Sequence, residues 1–203
     1  MQIYFDYDYD NQLTKEEETA RDIMVNLFNP VLKLLLCTYN SSKWRQYSFN
    51  SCRQTAIFGA VYLKKLLPDY DIVPYEGEFV EYYDDKNTEN YSHCFIIASK
   101  NNRTLLIDLS RTTKRLIFHR VTDSLYPTTK EYSQMALISR EVIDLDKMYY
   151  NSTMREYFTQ CKPIEVMDKI EKYMSNLSKQ SKDIQINFRN HIYHSFTNIF
   201  EIQ

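Results

Sequence analysis

The stretch QYSFNSCRQTAIFGAVYLKKLL, residues 46 to 67, sets the reading of the fold. From Cys52 onward its apolar side chains Ala56, Ile57, Ala60, Val61, Leu63, Leu66 and Leu67 recur every three or four residues, and Pro68 with Asp69 ends the pattern. That period predicts a core helix of about 15 residues with Cys52 at its mouth. A second stretch, YSHCFIIASKNNRTLLIDLS, residues 91 to 110, holds two β-branched apolar runs on either side of the turn-forming KNNR. The two runs are expected to pair antiparallel. Centring the pairing on the turn puts His93 and Asp108 nearly opposite each other on one face.

Upstream, Thr14 with Glu17 three residues on is a capping-box pattern ahead of Ile23, Met24, Leu27 and Phe28, so a helix is expected from about 15 to 28. Pro30 suits the first turn of a new helix, and VLKLLLCTY continues as a buried segment that takes in Cys37. Downstream, DIVPYEGEFVEYY, YSHCFIIAS, RTLLIDLS and RLIFHRV are short β-branched and aromatic runs, read as successive strands of an antiparallel sheet. The tail returns to helix at PIEVMDKIEKYMSNLSKQ and again at DIQINFRNHIYHSFTNIF. The fold class expected is α+β. One domain spans 1–203, with a core at about 44–145 and helical segments at 14–39 and 163–200.

Of the 203 residues, 43% are hydrophobic, enough for a sizeable core. Lysine and arginine number 25 against 27 acids, a net charge of -2 without long single-sign runs, which offers no electrostatic grip on nucleic acid. No run approaches the roughly 20 apolar residues of a membrane span, so no membrane association is expected. The start MQIYFDYDYDNQL lacks the basic and apolar regions of a secretory signal, which gives a cytoplasmic expectation. Delivery outside the cell without such a signal is compatible with the same residues. Cysteines at 37, 52, 94 and 161 have no paired spacing, and free thiols are expected. No phosphate-cradling glycine loop is present, and no cofactor is expected.

A thiol is a nucleophile only as its thiolate, which a helix N-terminus and a neighbouring imidazolium both favour. Cys52 has the first by position, and His93 would supply the second where the sheet packs on the helix. Asp108 could accept from the other ring nitrogen and fix the tautomer. Cys94 is the competing thiol. By strand alternation it faces away from His93, and it is read as an inert core residue. His191, His194 and Cys161 lack diagnostic metal spacing, and Glu76 and Glu78 read as rim strand residues. The 18 tyrosines are accounted for by core and rim positions.

Cysteine at a helix start, histidine on a strand and aspartate in LLIDLS, in that order, resemble the papain-like superfamily in its compact transglutaminase-like form, which includes arylamine acetyltransferases. The resemblance covers roughly residues 44 to 112. It implies Cys52 as nucleophile, His93 as general base and acid, and Asp108 as orienting group. Gln46, six residues ahead of the cysteine, matches the position of the oxyanion glutamine in papain-type enzymes. Trp44, Arg53 and Tyr91 are the candidates for lining the cleft. The chain departs from the pattern in having HCF where transglutaminase-like proteins often carry His-Ala-Trp, and Ser51 and Arg53 where a glycine usually flanks the cysteine.

The implied activity is acyl-thioester chemistry on a protein or peptide amide bond, as a thiol peptidase or as a deamidase or transglutaminase-like transferase. The EYYDDKNTEN segment before His93 would serve as a recognition wall. Two other readings are an acyltransferase on a small amine, and a non-catalytic interaction module on the same fold.

Overall fold

The computed structural model describes residues 13–39, 51–82, 88–110, 117–121, 135–143 and 163–201. Helix α1 (Lys15–Ile23) runs through a π-helical turn at Met24–Phe28 into α2 (Asn29–Tyr39). Thr14 caps α1 as the sequence suggested, its side chain accepting from the Glu17 amide while the Glu17 carboxylate accepts from the Thr14 amide. The expected break at Pro30 does not occur. Proline cannot donate to the carbonyl four residues back, and the turn widens instead, with the Asn29 amide bonding the Met24 carbonyl. The helix therefore continues with Pro30 buried inside it.

Helix α3 (Ser51–Leu66) is the predicted core helix, with Cys52 as its second residue. It packs on a five-stranded antiparallel sheet made of β1 (Asp71–Tyr82), β2 (Thr88–Lys100), β3 (Arg103–Asp108), β4 (Ile117–Val121) and β5 (Met135–Val142), in the spatial order β4-β3-β2-β1-β5. The architecture is α+β. Strand β5 was not anticipated from the sequence, and it pairs with β1 across a register shift between Glu78 and Phe79. Strand β1 matches the expected DIVPYEGEFVEYY to within a residue, and β2 begins earlier than the expected YSHCFIIAS. Of the proposed recognition wall at EYYDDKNTEN, Glu81 and Tyr82 end β1 and pair with Glu89 and Thr88 of β2, while residues 83–87 lie outside the described residues.

The core lies between α3 and the helix-facing side of the sheet. Cys94, Ile96 and Ala98 of β2 and Leu105 and Ile107 of β3 meet Ala56, Ala60 and Leu63 of α3, with Met24 and Phe28 behind them. Gly59 permits this close approach, because a Cβ there would stand 3.0 Å from the Ile96 Cδ1 atom. Helix α4 (Pro163–Ser178) supplies Val166, Ile170 and Met174 to the same cluster, and α5 (Lys182–Glu201) lies against α2 and the π turn. Arg189 of α5 donates to the Asn26 side chain at 2.7 Å. No helix among the described residues is long and apolar enough to cross a membrane.

One polar clamp joins the layers. The buried Glu17 carboxylate accepts from Arg103 at the start of β3 at 2.6 and 2.9 Å, and from the Tyr70 hydroxyl at 2.6 Å. Burial and the neighbouring carboxylate push the Tyr70 hydroxyl up to about 12. The first helix is thereby fixed to the strand that carries Asp108.

Candidate active site

The β2–β3 hairpin turns at Asn101 and Asn102, with Lys100 paired to Arg103 and Asn101 in the left-handed region at φ 53°. Asparagine tolerates that conformation better than most side chains. The β2–β3 ladder runs from Lys100↔Arg103 to Ile96↔Ile107. Continuing the register sets Asp108 beside Phe95 and Ser110 beside His93, so His93 and Asp108 are diagonal neighbours on one face, one step from directly opposite. They nevertheless touch. His93 Nε2 lies 2.6 Å from Asp108 Oδ2, with Asp108 fully enclosed and His93 8% exposed. Gly77 is the partner of His93 on β1, so no side chain from that strand competes for the space of the imidazole.

Cys52 arrives from the helical layer. The ionisation of its thiol is governed by the side chains of His93 and Cys94 and by the Cys94 backbone. Because Nε2 is engaged by Asp108, the other ring nitrogen is the one left for the thiol. Cys94 is the buried core thiol expected, and it also interacts with Cys52. Strand alternation does hold, since Cys94 belongs to the helix-facing core with Ile96 and Ala98, whereas Phe95 stacks on Tyr75.

The electrostatics follow from these contacts. The Cys52 thiol is held well below its ordinary range, first by the hydrogen bond from the Cys94 side chain and then by the hydrogen bond and charge of His93, which together outweigh burial. Burial alone would lower His93, but the charge and hydrogen bond of Asp108, with those of Cys52, push it up to about 10. Cys94 is pushed strongly upward by its hydrogen bond to Cys52 and by burial, so it holds its proton. A thiolate at Cys52 and an imidazolium at His93 are thus favoured together, next to a neutral thiol donor. Among the described residues Cys52 and Cys94 are free, and no His/Cys/Asp/Glu cluster could hold a metal ion.

Arg53, half-buried, pairs with the Glu76 carboxylate and also approaches Cys94. Glu76 stands opposite Cys94 on β1, which is why one guanidinium meets both. Arg53 therefore borders the thiol pair, and Glu76 is an ion-pair partner at the rim. Tyr91 pairs with Phe79 in β2, and its side chain lies outside the described residues. Gln46, Trp44 and Cys161 also lie outside them, as do the side chains of Cys37 and His194; His191 is exposed on α5.

Ser110 was not singled out by the sequence reading. Its hydroxyl donates to Asp108 Oδ1 at 2.7 Å and lies 3.4 Å from His93 Nε2, and its amide donates to the same Oδ1 at 3.1 Å. The signal was the DLS sequence itself, because an aspartate readily accepts from the residue two positions on as a strand ends. Comparison of the chain with known protein families, curated proteins and solved structures found no match.

Proposed function

We propose that this chain is a cysteine-dependent acyl-thioester enzyme acting on a protein or peptide amide bond, with an architecture of the papain-like, transglutaminase-like kind. The supporting observation is one imidazole held between a buried carboxylate and a thiol at a helix N-terminus. In this reading the Cys52 thiolate attacks the amide carbonyl, forming the sulfur–carbon bond and a tetrahedral oxyanion. The Cys52 amide, among the first-turn N–H groups that the helix itself leaves without partners, faces that charge, with Gln46 as its proposed companion donor. Collapse breaks the carbon–nitrogen bond as His93 gives its proton to the departing amine, leaving the acyl group on sulfur.

His93, now neutral, next takes a proton from the incoming acceptor. Water releases an acid, the outcome of a peptidase or deamidase, and an amine receives the acyl group. Asp108 remains ionised throughout, and the imidazole keeps one tautomer. Arg53 and Glu76 form the charged rim on the β1 side, where a substrate chain would pass.

The direct test is covalent trapping. Incubated with cellular proteins and quenched in acid, the protein is expected to carry an acyl adduct on Cys52, found by peptide mass spectrometry and absent from Cys52→Ala. Asp108→Asn should form the adduct more slowly by a factor on the order of 10² to 10⁴ at nearly unchanged melting temperature. Adducts on other cysteines alone, or an Asp108→Asn variant with full rate, would refute the assignment.

A further inference from the structure

We infer that Ser110 is a positioning residue for the His93–Asp108 pair, fixing the carboxylate so that the oxygen facing the imidazole stays aimed at it. This rests on the reading of Cys52, His93 and Asp108 as a working triad, and it adds a fourth residue with a distinct job. The two oxygens of Asp108 have separate partners: Oδ2 faces His93 Nε2 at 2.6 Å, while Oδ1 accepts from both the hydroxyl and the amide of Ser110. A carboxylate bound through one oxygen only can rotate about its own axis. Bound at both, it has one orientation.

Asp108 is the last residue of β3, where it pairs with Ile117 at the start of β4. Ser110 closes a local turn on the aspartate and brings its hydroxyl to 3.4 Å from His93 Nε2 as well. Its only rotatable proton is given to Asp108, so toward His93 the hydroxyl oxygen acts as an acceptor and favours a protonated Nε2. Both contacts therefore select the same tautomer, the one that keeps the opposite ring nitrogen for Cys52.

Ser110 is itself held from the helical layer. The buried Lys33 of α2 donates from Nζ to the Ser110 carbonyl oxygen at 3.4 Å. The hydroxyl, amide and carbonyl of this one residue are thus all engaged, with 7% of it exposed. A serine with no more than a packing role would not need its hydroxyl between the two titrating groups of the pair.

The test reads His93 directly, by NMR titration of its imidazole in the full chain, with Cys52 alkylation by iodoacetamide measured alongside. Ser110→Ala is expected to lower the His93 midpoint by roughly one pH unit, and to slow Cys52 alkylation at pH 6 several-fold, with the melting temperature nearly unchanged. Ser110→Thr, which keeps the hydroxyl, should restore both. In an Asp108→Asn background the Ser110→Ala change should have much less effect, because most of it passes through the carboxylate and only the 3.4 Å contact with His93 is left. Should the alanine variant not fold, Ser110→Cys must show the same shift by NMR.

A variant that titrates like the native protein, or an effect that adds in full to Asp108→Asn, overturns the inference. The triad reading fails by a different sign: no acid-range alkylation of Cys52 in the native protein, whatever Ser110 does to His93.

Discussion

Cys94 controls how easily Cys52 loses its proton. Its thiol hydrogen-bonds to the Cys52 sulfur, the largest single influence lowering that group, and it keeps its own proton because burial and the neighbouring thiolate both oppose ionisation. Cys94→Ala should therefore leave Cys52 reactive through His93, but move the acid limb of its alkylation profile to higher pH. The small void left in the core should cost about 1 kcal/mol, seen in urea unfolding. A profile identical to the native one would mean that the thiol contact has no influence on ionisation.

The His93–Asp108 contact was legible in the sequence because a tight turn between two apolar runs leaves little freedom in register. Cys94 was read correctly as a buried core thiol that holds its proton, but its interaction with Cys52 was not legible, because alternation says which face a side chain takes and not what the helix above it brings. Ser110 was missed because it lies just past the strand, where period-two reasoning stops.

The first helix shows the same division at the scale of elements. Its capping box could be read directly from Thr14 and Glu17, but the second use of Glu17 could not. Its carboxylate also binds Arg103 and Tyr70, 86 and 53 residues away. Burial would raise Glu17, but Arg103, Tyr70 and the Thr14 amide prevail and hold it below its ordinary value of 4.5. A lowered carboxylate contributes stability that is present above pH 4.5 and is lost as pH falls through its folded-state value.

Glu17→Gln should accordingly lose about 2 kcal/mol at pH 7, with the difference from the native protein shrinking in acid, as followed by thermal melts across pH 3 to 7. A gap that stayed constant with pH would assign the loss to packing alone. Strand β5 was beyond the reach of local reading, because MALISREV is short, mixed in polarity and paired at the far edge with a strand distant in sequence. The helix across Pro30 was similar: proline predicted an end, and a widened turn absorbed it.

For the molecule as a whole, the lowered Cys52 thiol is a product of assembly. Cys52 belongs to a helix packed on the sheet, His93 and Asp108 to two strands of that sheet, and the strand carrying Asp108 is tied to α1 through Arg103 and Glu17. The α+β class and the order of helix and hairpin were legible because strong apolar periods bracket both stretches quoted at the outset. Gln46, Trp44 and residues 83–87 of the EYYDDKNTEN segment fall outside the described residues. Once the chain is unfolded, none of these contacts survives, and Cys52 should behave as an ordinary cysteine with a pKa of about 8.5.

Site-resolved alkylation by iodoacetamide across pH 5 to 10, in native buffer and in urea, tests this most directly. The account predicts that native Cys52 reacts well below pH 8 and faster at pH 6 than a free cysteine, that Cys94 stays unlabelled, and that urea returns Cys52 to the profile of a free thiol. Equal labelling of all four cysteines at pH 6, with none faster than a free cysteine, would contradict it.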